Sequence, residues 1–217
     1  MIRKVDPSSN TITTFAADPT FSDLVSLAVD ARGNLYSADD GACVIRKITP
    51  GGVISVVAGN FTCGFNGDGI QAIDAELNGA YGIAVDIQGN LYIGDTLNNR
   101  IRKVNRSGII STIAGTGTCG FSGDGGSAIL AMICNPLGLI VDTSGNVYFA
   151  DENNLRVRKI TRSGKLNTIA GSGNSGYNGE NLPATSTNID DPAAIGIDNV
   201  GTVFVLDDIQ ARVRKIH

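Results

Sequence analysis

Carboxylates, guanidiniums and thiols recur in this chain at one fixed step, and histidine is nearly missing. Asp39, Asp95, Asp151 and Asp207 are each 56 residues from the next (95 − 39 = 56), and the Arg-Lys pairs at 46/47, 102/103, 158/159 and 214/215 keep the same step. Asp and Arg repeated in this way can form ion pairs, ring a cation with oxygens, or bind phosphate where the basic residues are in surplus. The single histidine, His217, is the last residue. A Ser-His-Asp relay and a metal centre of several histidines are therefore unavailable. The cysteines show no Cys-x-x-Cys zinc spacing either.

Two acidic residues sit in a shared loop motif, Cys-Gly-Phe-Asn-Gly-Asp-Gly at 63–69 and Cys-Gly-Phe-Ser-Gly-Asp-Gly at 119–125. A third copy, Gly-Tyr-Asn-Gly-Glu-Asn at 176–181, carries Glu180 in place of the Asp and has no Cys. Asp68 and Asp124 are hard oxygen donors, but calcium needs six or more oxygens and each loop brings one carboxylate. A tight turn, with Asp accepting backbone N–H groups, is favoured over calcium, and no other cofactor is expected. Asp95 faces Arg100 across a turn, with Arg156 and Arg212 in equivalent places, which reads as a hairpin ion pair that Val44 interrupts in the first copy. The Arg-Lys pairs read as a solvated strand face rather than an RNA-binding stripe, because the chain carries a net charge of −4.

These residues need a scaffold, and the repeat describes it. In one copy Tyr81–Asp86, Leu91–Asp95, Arg100–Val104 and Ile109–Gly115 are short apolar or alternating runs separated by Gly/Asn turns. Second strands are expected to begin near Leu35, Leu91, Val147 and Val203. Each copy is a four-stranded antiparallel meander that cannot bury both faces alone. Stacked face to face around an axis, such sheets make an all-β propeller. Small residues such as Gly82, Ala84, Gly138, Ala194 and Gly196 suit the crowded innermost strand.

Gly-Ile-Ala-Val-Asp at 82–86, Gly-Asn-Leu-Tyr-Ile at 89–93, Asp-Thr-Leu-Asn-Asn-Arg-Ile-Arg-Lys-Val at 95–104 and Ile-Ser-Thr-Ile-Ala-Gly at 110–115 resemble the NHL repeat, with Gly-Asn-Leu where Asn-His-Leu would stand. The resemblance covers nearly the whole chain and is closest to bacterial and extracellular NHL proteins. It implies a propeller fold and leaves function open among amidating lyases, RNA-binding modules, protein-binding modules and surface sensors. NHL rings usually have six blades, and this chain has material for about four. Residues 1–217 are therefore expected to be one domain cut from a larger ring. It would hold a partial blade at 1–17, blades at 25–59, 81–115 and 137–171, and a partial blade at 193–217. Met1 is followed at once by a copy of the repeat, without a signal peptide, which fits the same expectation.

In a propeller, second-to-third strand turns and inter-repeat connectors leave on one face. That geometry pairs Cys43 with Cys63 and closes one connector through Cys119 and Cys134; disulfides are favoured over four free thiols. Asn60-Phe61-Thr62 and Asn105-Arg106-Ser107 match the glycosylation sequon but read as chance matches. The connectors at 60–80, 116–136 and 172–192 are the expected ligand face, with Phe65, Asp68, Phe121, Asp124, Tyr177 and Glu180 as candidate residues. The expected function is a non-enzymatic binding or scaffold module for a protein, peptide or glycan, outside the cell or at its surface. A lyase or lactonase with a metal in the central channel is the alternative, and RNA binding comes third. No apolar run is long enough to span a bilayer, and no nucleic acid is expected as partner.

Overall fold

The computed structural model describes residues 1–216; the reading of His217 falls outside the described residues. Strands β1 (Ile2–Asp6) and β2 (Thr11–Ala16) form a hairpin. The first four-stranded sheet contains β3 (Leu24–Val29), β4 (Leu35–Asp39), β5 (Val44–Ile48) and β6 (Ile54–Ala58). The second contains β7 (Ala80–Val85), β8 (Leu91–Asp95), β9 (Arg100–Val104) and β10 (Ile110–Ala114). The third contains β11 (Pro136–Val141), β12 (Val147–Asp151), β13 (Arg156–Ile160) and β14 (Leu166–Ala170). The fourth has three strands, β15 (Pro192–Ile197), β16 (Val203–Asp207) and β17 (Arg212–Ile216). Second strands begin at Leu35, Leu91, Val147 and Val203, as the repeat predicts. Every sheet is a sequential antiparallel meander. The helical segments among the described residues are 3-10 turns of three residues.

The sheets stack as propeller blades. Innermost strands meet in sequence, β3 on β7, β7 on β11 and β11 on β15. A Cβ added at Gly82 would lie 2.1 Å from the Leu137 carbonyl oxygen, and one at Gly138 2.7 Å from the Ala193 carbonyl oxygen. Only a hydrogen side chain allows that approach. The equivalent place on β15 is Ala194, and Gly196, two residues further on, faces open space. At the other end of the arc β3 alternates between half-buried and exposed residues, because the preceding hairpin supplies only two strands to cover it. Ile2 and Ala16 of that hairpin pack on Leu35 and Ile48.

The connectors are part of this packing. Ala72, Ala75 and Leu77 are buried between Ala38, Ile45 and Ala58 of the first sheet and Ile83, Ile93 and Ile110 of the second. Ala128, Ala131 and Ile133 form the same wedge in the next interface. Leu77 is fully buried, so Leu77→Ala is expected to cost about 2–5 kcal/mol. The segments 70–78 and 126–134, expected to carry ligand contacts, therefore give several of their residues to the core. Apolar positions in a loop of irregular backbone have no period to reveal them.

Candidate functional site

Each repeated Asp ends a second strand, and its carboxylate is turned inward. Asp95 is fully buried and accepts from the Asn78 N–H at 2.8 Å, the Asn98 amide at 2.8 Å and Arg102 Nη1 at 3.1 Å. Arg102, also fully buried, donates its other arm to the Gly67 carbonyl at 2.7 Å and to Asp68 Oδ1 at 3.0 Å. Asp68 Oδ1 further accepts from the Thr112 hydroxyl at 3.1 Å. The Phe65 ring lies 3.8 Å from the Arg100 guanidinium and 4.8 Å from that of Arg102. The third sheet repeats this unit. Arg158 joins Asp151 at 2.9 Å to Asp124 at 3.0 Å, and Phe121 stacks on Arg156 and Arg158 at 3.7 and 4.8 Å. The Arg-phenyl stack places the face of a π-system beside a cation, an attraction added to apolar contact.

Three expectations change here. The ion pair runs from Asp95 to Arg102, not to Arg100. Cross-strand neighbours Asp95 and Arg100 share a backbone register, but Arg100 instead donates to the carbonyls of Asn98 and Thr116. The first arginines of the Arg-Lys pairs are not solvated. Arg46 is 5% exposed, and Arg102 and Arg158 are wholly buried, because strand alternation points them at the connector. Only the lysines follow the solvated reading, with Lys103 Nζ 5.2 Å from the Tyr92 ring centroid. Finally, Asp68 and Asp124 hold a side chain of the third strand rather than their own turn backbone, so both are committed to guanidinium.

Burial pushes the Asp95 and Asp151 carboxyls up; backbone N–H groups, Asn98 or Asn154, and the paired arginine pull against it. Burial likewise lowers Arg100 and Arg156, and the neighbouring Arg102 and Arg158 add to it. The first copy lacks a long connector, and Arg46 reaches from Asp39, at 2.7 Å, to the Thr20 carbonyl at 2.8 Å. In the fourth copy Arg214 lies 3.5 Å from Asp207 and 3.9 Å from Glu180, while the Tyr177 hydroxyl donates to Glu180 at 2.9 Å.

Both disulfides expected from propeller topology are present. Cys43 and Cys63 have Cα atoms 5.4 Å apart, and those of Cys119 and Cys134 are 4.3 Å apart. The first bridge ties a connector to the turn of the preceding blade; the second closes one connector on itself.

A second acidic group lies on the connector side of the innermost strands. Glu152 follows β12 and Asp191 precedes β15, and the charge of Asp191 acts on Glu152 across the blade interface. Burial raises Glu152, with Asp191 next; burial also raises Asp191, with Asp208 next. Tyr81 on β7 is raised first by Asp40. The sequence carries the adjacent carboxylates Asp190-Asp191 and Asp207-Asp208, but no spacing in it brings Glu152 to them, since that approach crosses a blade interface. Among the described residues no three His, Cys, Asp or Glu side chains converge as a metal site, and no helix is long and apolar enough to cross a membrane.

The family profile described as Teneurin NHL domain matches residues 60–122 and 116–178, together more than half of the chain. Human Teneurin-4 is 35% identical over 157 residues, which is 63% of this chain and 6% of that protein. The chain thus spans a small part of the curated relatives it matches. Among solved structures, a streptogramin B lyase superposes with a TM-score of 0.61 at 17% identity, covering 98% of this chain and 60% of that one. An auxiliary nutrient binding protein from Bacteroides ovatus superposes with a TM-score of 0.71 at 19% identity, covering 96% and 50%. These two show the propeller fold alone. The profile match, laid over repeats whose Asp–Arg–connector unit recurs blade by blade, places the chain in the teneurin NHL domain family.

Proposed function

We propose that this chain is a non-enzymatic binding and scaffold module of an extracellular or cell-surface protein, using its connector side to hold a protein, peptide or glycan. The observation that carries this is an aromatic ring recurring at one place in three blades. Phe65, Phe121 and Tyr177 are 36%, 41% and 44% exposed while each stacks on two arginines. A ring that is pinned on one side and open on the other loses little entropy on binding, as interface anchors require. Asp68, Asp124 and Glu180 set those rings through the arginines, and Phe61 and Leu97, 62% and 57% exposed, extend the apolar contact. Disulfides that clamp the connectors fit an oxidising compartment. Exposed Val25, Leu27 and Val29 on β3, and Val213 on β17, fit an arc continued by further blades into a larger ring.

The test is a screen of the chain against arrayed extracellular domains and glycans, repeated with Phe121→Leu and Tyr177→Leu. Hits are expected to weaken with these variants and to persist with Val200→Ser, on the opposite face. The raised Glu152–Asp191 carboxyl pair supports the rival reading of a propeller enzyme. Lyase activity on a streptogramin B, lost in Glu152→Gln, would establish that reading instead.

A further inference from the structure

We propose that the groove between the first two four-stranded sheets, beside the turns at 31–34 and 87–90, docks an extended acidic peptide that carries apolar side chains. The groove has a volume of about 750 Å³ and is lined by Arg32, Lys47 and Arg106, with Val57, Ile73 and Ile87 as its apolar wall. None of these three cations takes part in an ion pair among the described residues. Its two carboxylates are already engaged. Asp30 accepts from the Arg32 and Asn34 N–H groups, the Asn34 amide and the Tyr36 hydroxyl. Asp86 accepts from the Asn90 N–H, the Asn90 amide and the Tyr92 hydroxyl. Three cations therefore face two carboxylates whose lone pairs are spent on local turns, in a chain of net charge −4.

The repeat provides an internal control. At the Arg32 position the other copies carry Gln88, Ser144 and Val200, and at the Ile87 position they carry Ala31, Thr143 and Asn199. The next groove along keeps Lys103 and Arg162 but has lost one cation and one isoleucine, while its turns keep their Asp and Asn. The scaffold does not need Arg32 or Ile87, so their joint presence in one groove is an added property. Ile73 and Ile87 are 54% and 71% exposed, and burying them rewards an apolar side chain in the occupant. That apolar wall favours a peptide over a sulfated glycan, which would use the charges alone.

The experiment titrates the whole disulfide-bonded chain with a fluorescein-labelled peptide of Glu-Glu-Leu repeats. A Glu-Glu-Ser peptide, a Lys-Lys-Leu peptide and a heparin hexasaccharide serve as comparison probes. The Glu-Glu-Leu peptide is expected to bind most tightly, with affinity falling as salt rises. Arg32→Glu with Arg106→Glu should weaken it at least about tenfold, and Ile87→Ser about threefold. Neither arginine side chain makes a hydrogen bond among the described residues, so an unchanged melting curve checks the fold. Equal binding of the acidic and basic peptides, binding indifferent to the arginines, or heparin binding without peptide binding would each overturn the proposal. Phe121→Leu should leave this binding unchanged, which separates failure here from failure of the connector-side reading.

Discussion

The connectors at 116–136 and 172–192 share their length and their Gly-x-x-Gly spacing, yet they dock differently. The first is held at every level. Its Asp124 meets Arg158 at 3.0 Å, Gly125 donates to the Leu166 carbonyl of β14 at 2.7 Å, Ala128 donates to the Gly164 carbonyl at 2.8 Å, and a disulfide closes it. The second has Glu180 at 3.9 Å from Arg214, Ser175 and Asp190 in place of the cysteines, and a three-stranded sheet with no outer strand to receive it. A cleft of about 470 Å³ separates its residues Glu180–Ala184 from Arg212–Ile216. The longer Glu side chain turns to the Tyr177 hydroxyl instead of closing on the guanidinium. One repeat unit thus yields a locked wedge or a loose flap, depending on one methylene, one cross-link and one strand.

The strongest way to break this comparison is to remove the arginine in each copy. Arg158→Ala leaves the buried Asp151 carboxylate uncompensated and should destabilise by about 3–5 kcal/mol. Arg214→Ala, where the guanidinium sits at longer range, should cost clearly less. Parallel denaturant titrations read both; equal losses would show that the two copies are held alike. Next in size is the cross-link. Cys119→Ser with Cys134→Ser opens a loop with a sequence separation of 15, expected to cost about 3 kcal/mol in the chain-entropy model. The same bridge transplanted by Ser175→Cys with Asp190→Cys should raise the melting temperature, provided the fourth connector already holds the matching backbone.

Smaller effects separate the side chain from the missing strand. Glu180→Asp should stabilise by at most about 1 kcal/mol, and Asp68→Glu should lose a similar amount, because both carboxylates are largely exposed. No gain from Glu180→Asp would assign the looseness to the absent outer strand. The smallest effect is acid sensitivity on the opposite face. For Asp30 and Asp142, burial pushes the carboxyls up, but hydrogen bonds from Asn34 or Asn146 and their neighbours together hold them below 3.8. A lowered folded pKa contributes stability above the unfolded value and loses it as pH falls through the folded one. Melting temperature should therefore drop below about pH 4. Asn34→Ala and Asn146→Ala should flatten that drop. The raised Asp95 and Asp151 act in the other sense, favouring the fold as they protonate, so they blunt the acid loss rather than cause it.

The strands, their order, the second-strand starts and both disulfides were legible in the chain itself. They depend on local alternation, turn glycines and a fixed step, and a propeller turns that step directly into spatial neighbours. Gly82 and Gly138 were legible for the same reason, since each repeat meets its successor at equivalent places. The partner of Asp95 was not. Arg100 and Arg102 are both within reach of the turn in sequence, and only the connector folding back over β9 selects the inward-pointing Arg102 and leaves Arg100 to stack on Phe65. The burial of Ala72 and Leu77, the meeting of Glu152 with Asp191, and the groove that gathers Arg32, Lys47 and Arg106 were likewise decided by tertiary structure. Each joins residues of different blades or of an aperiodic loop. Sequence spacing records the step along one blade but not the angle at which the next blade arrives.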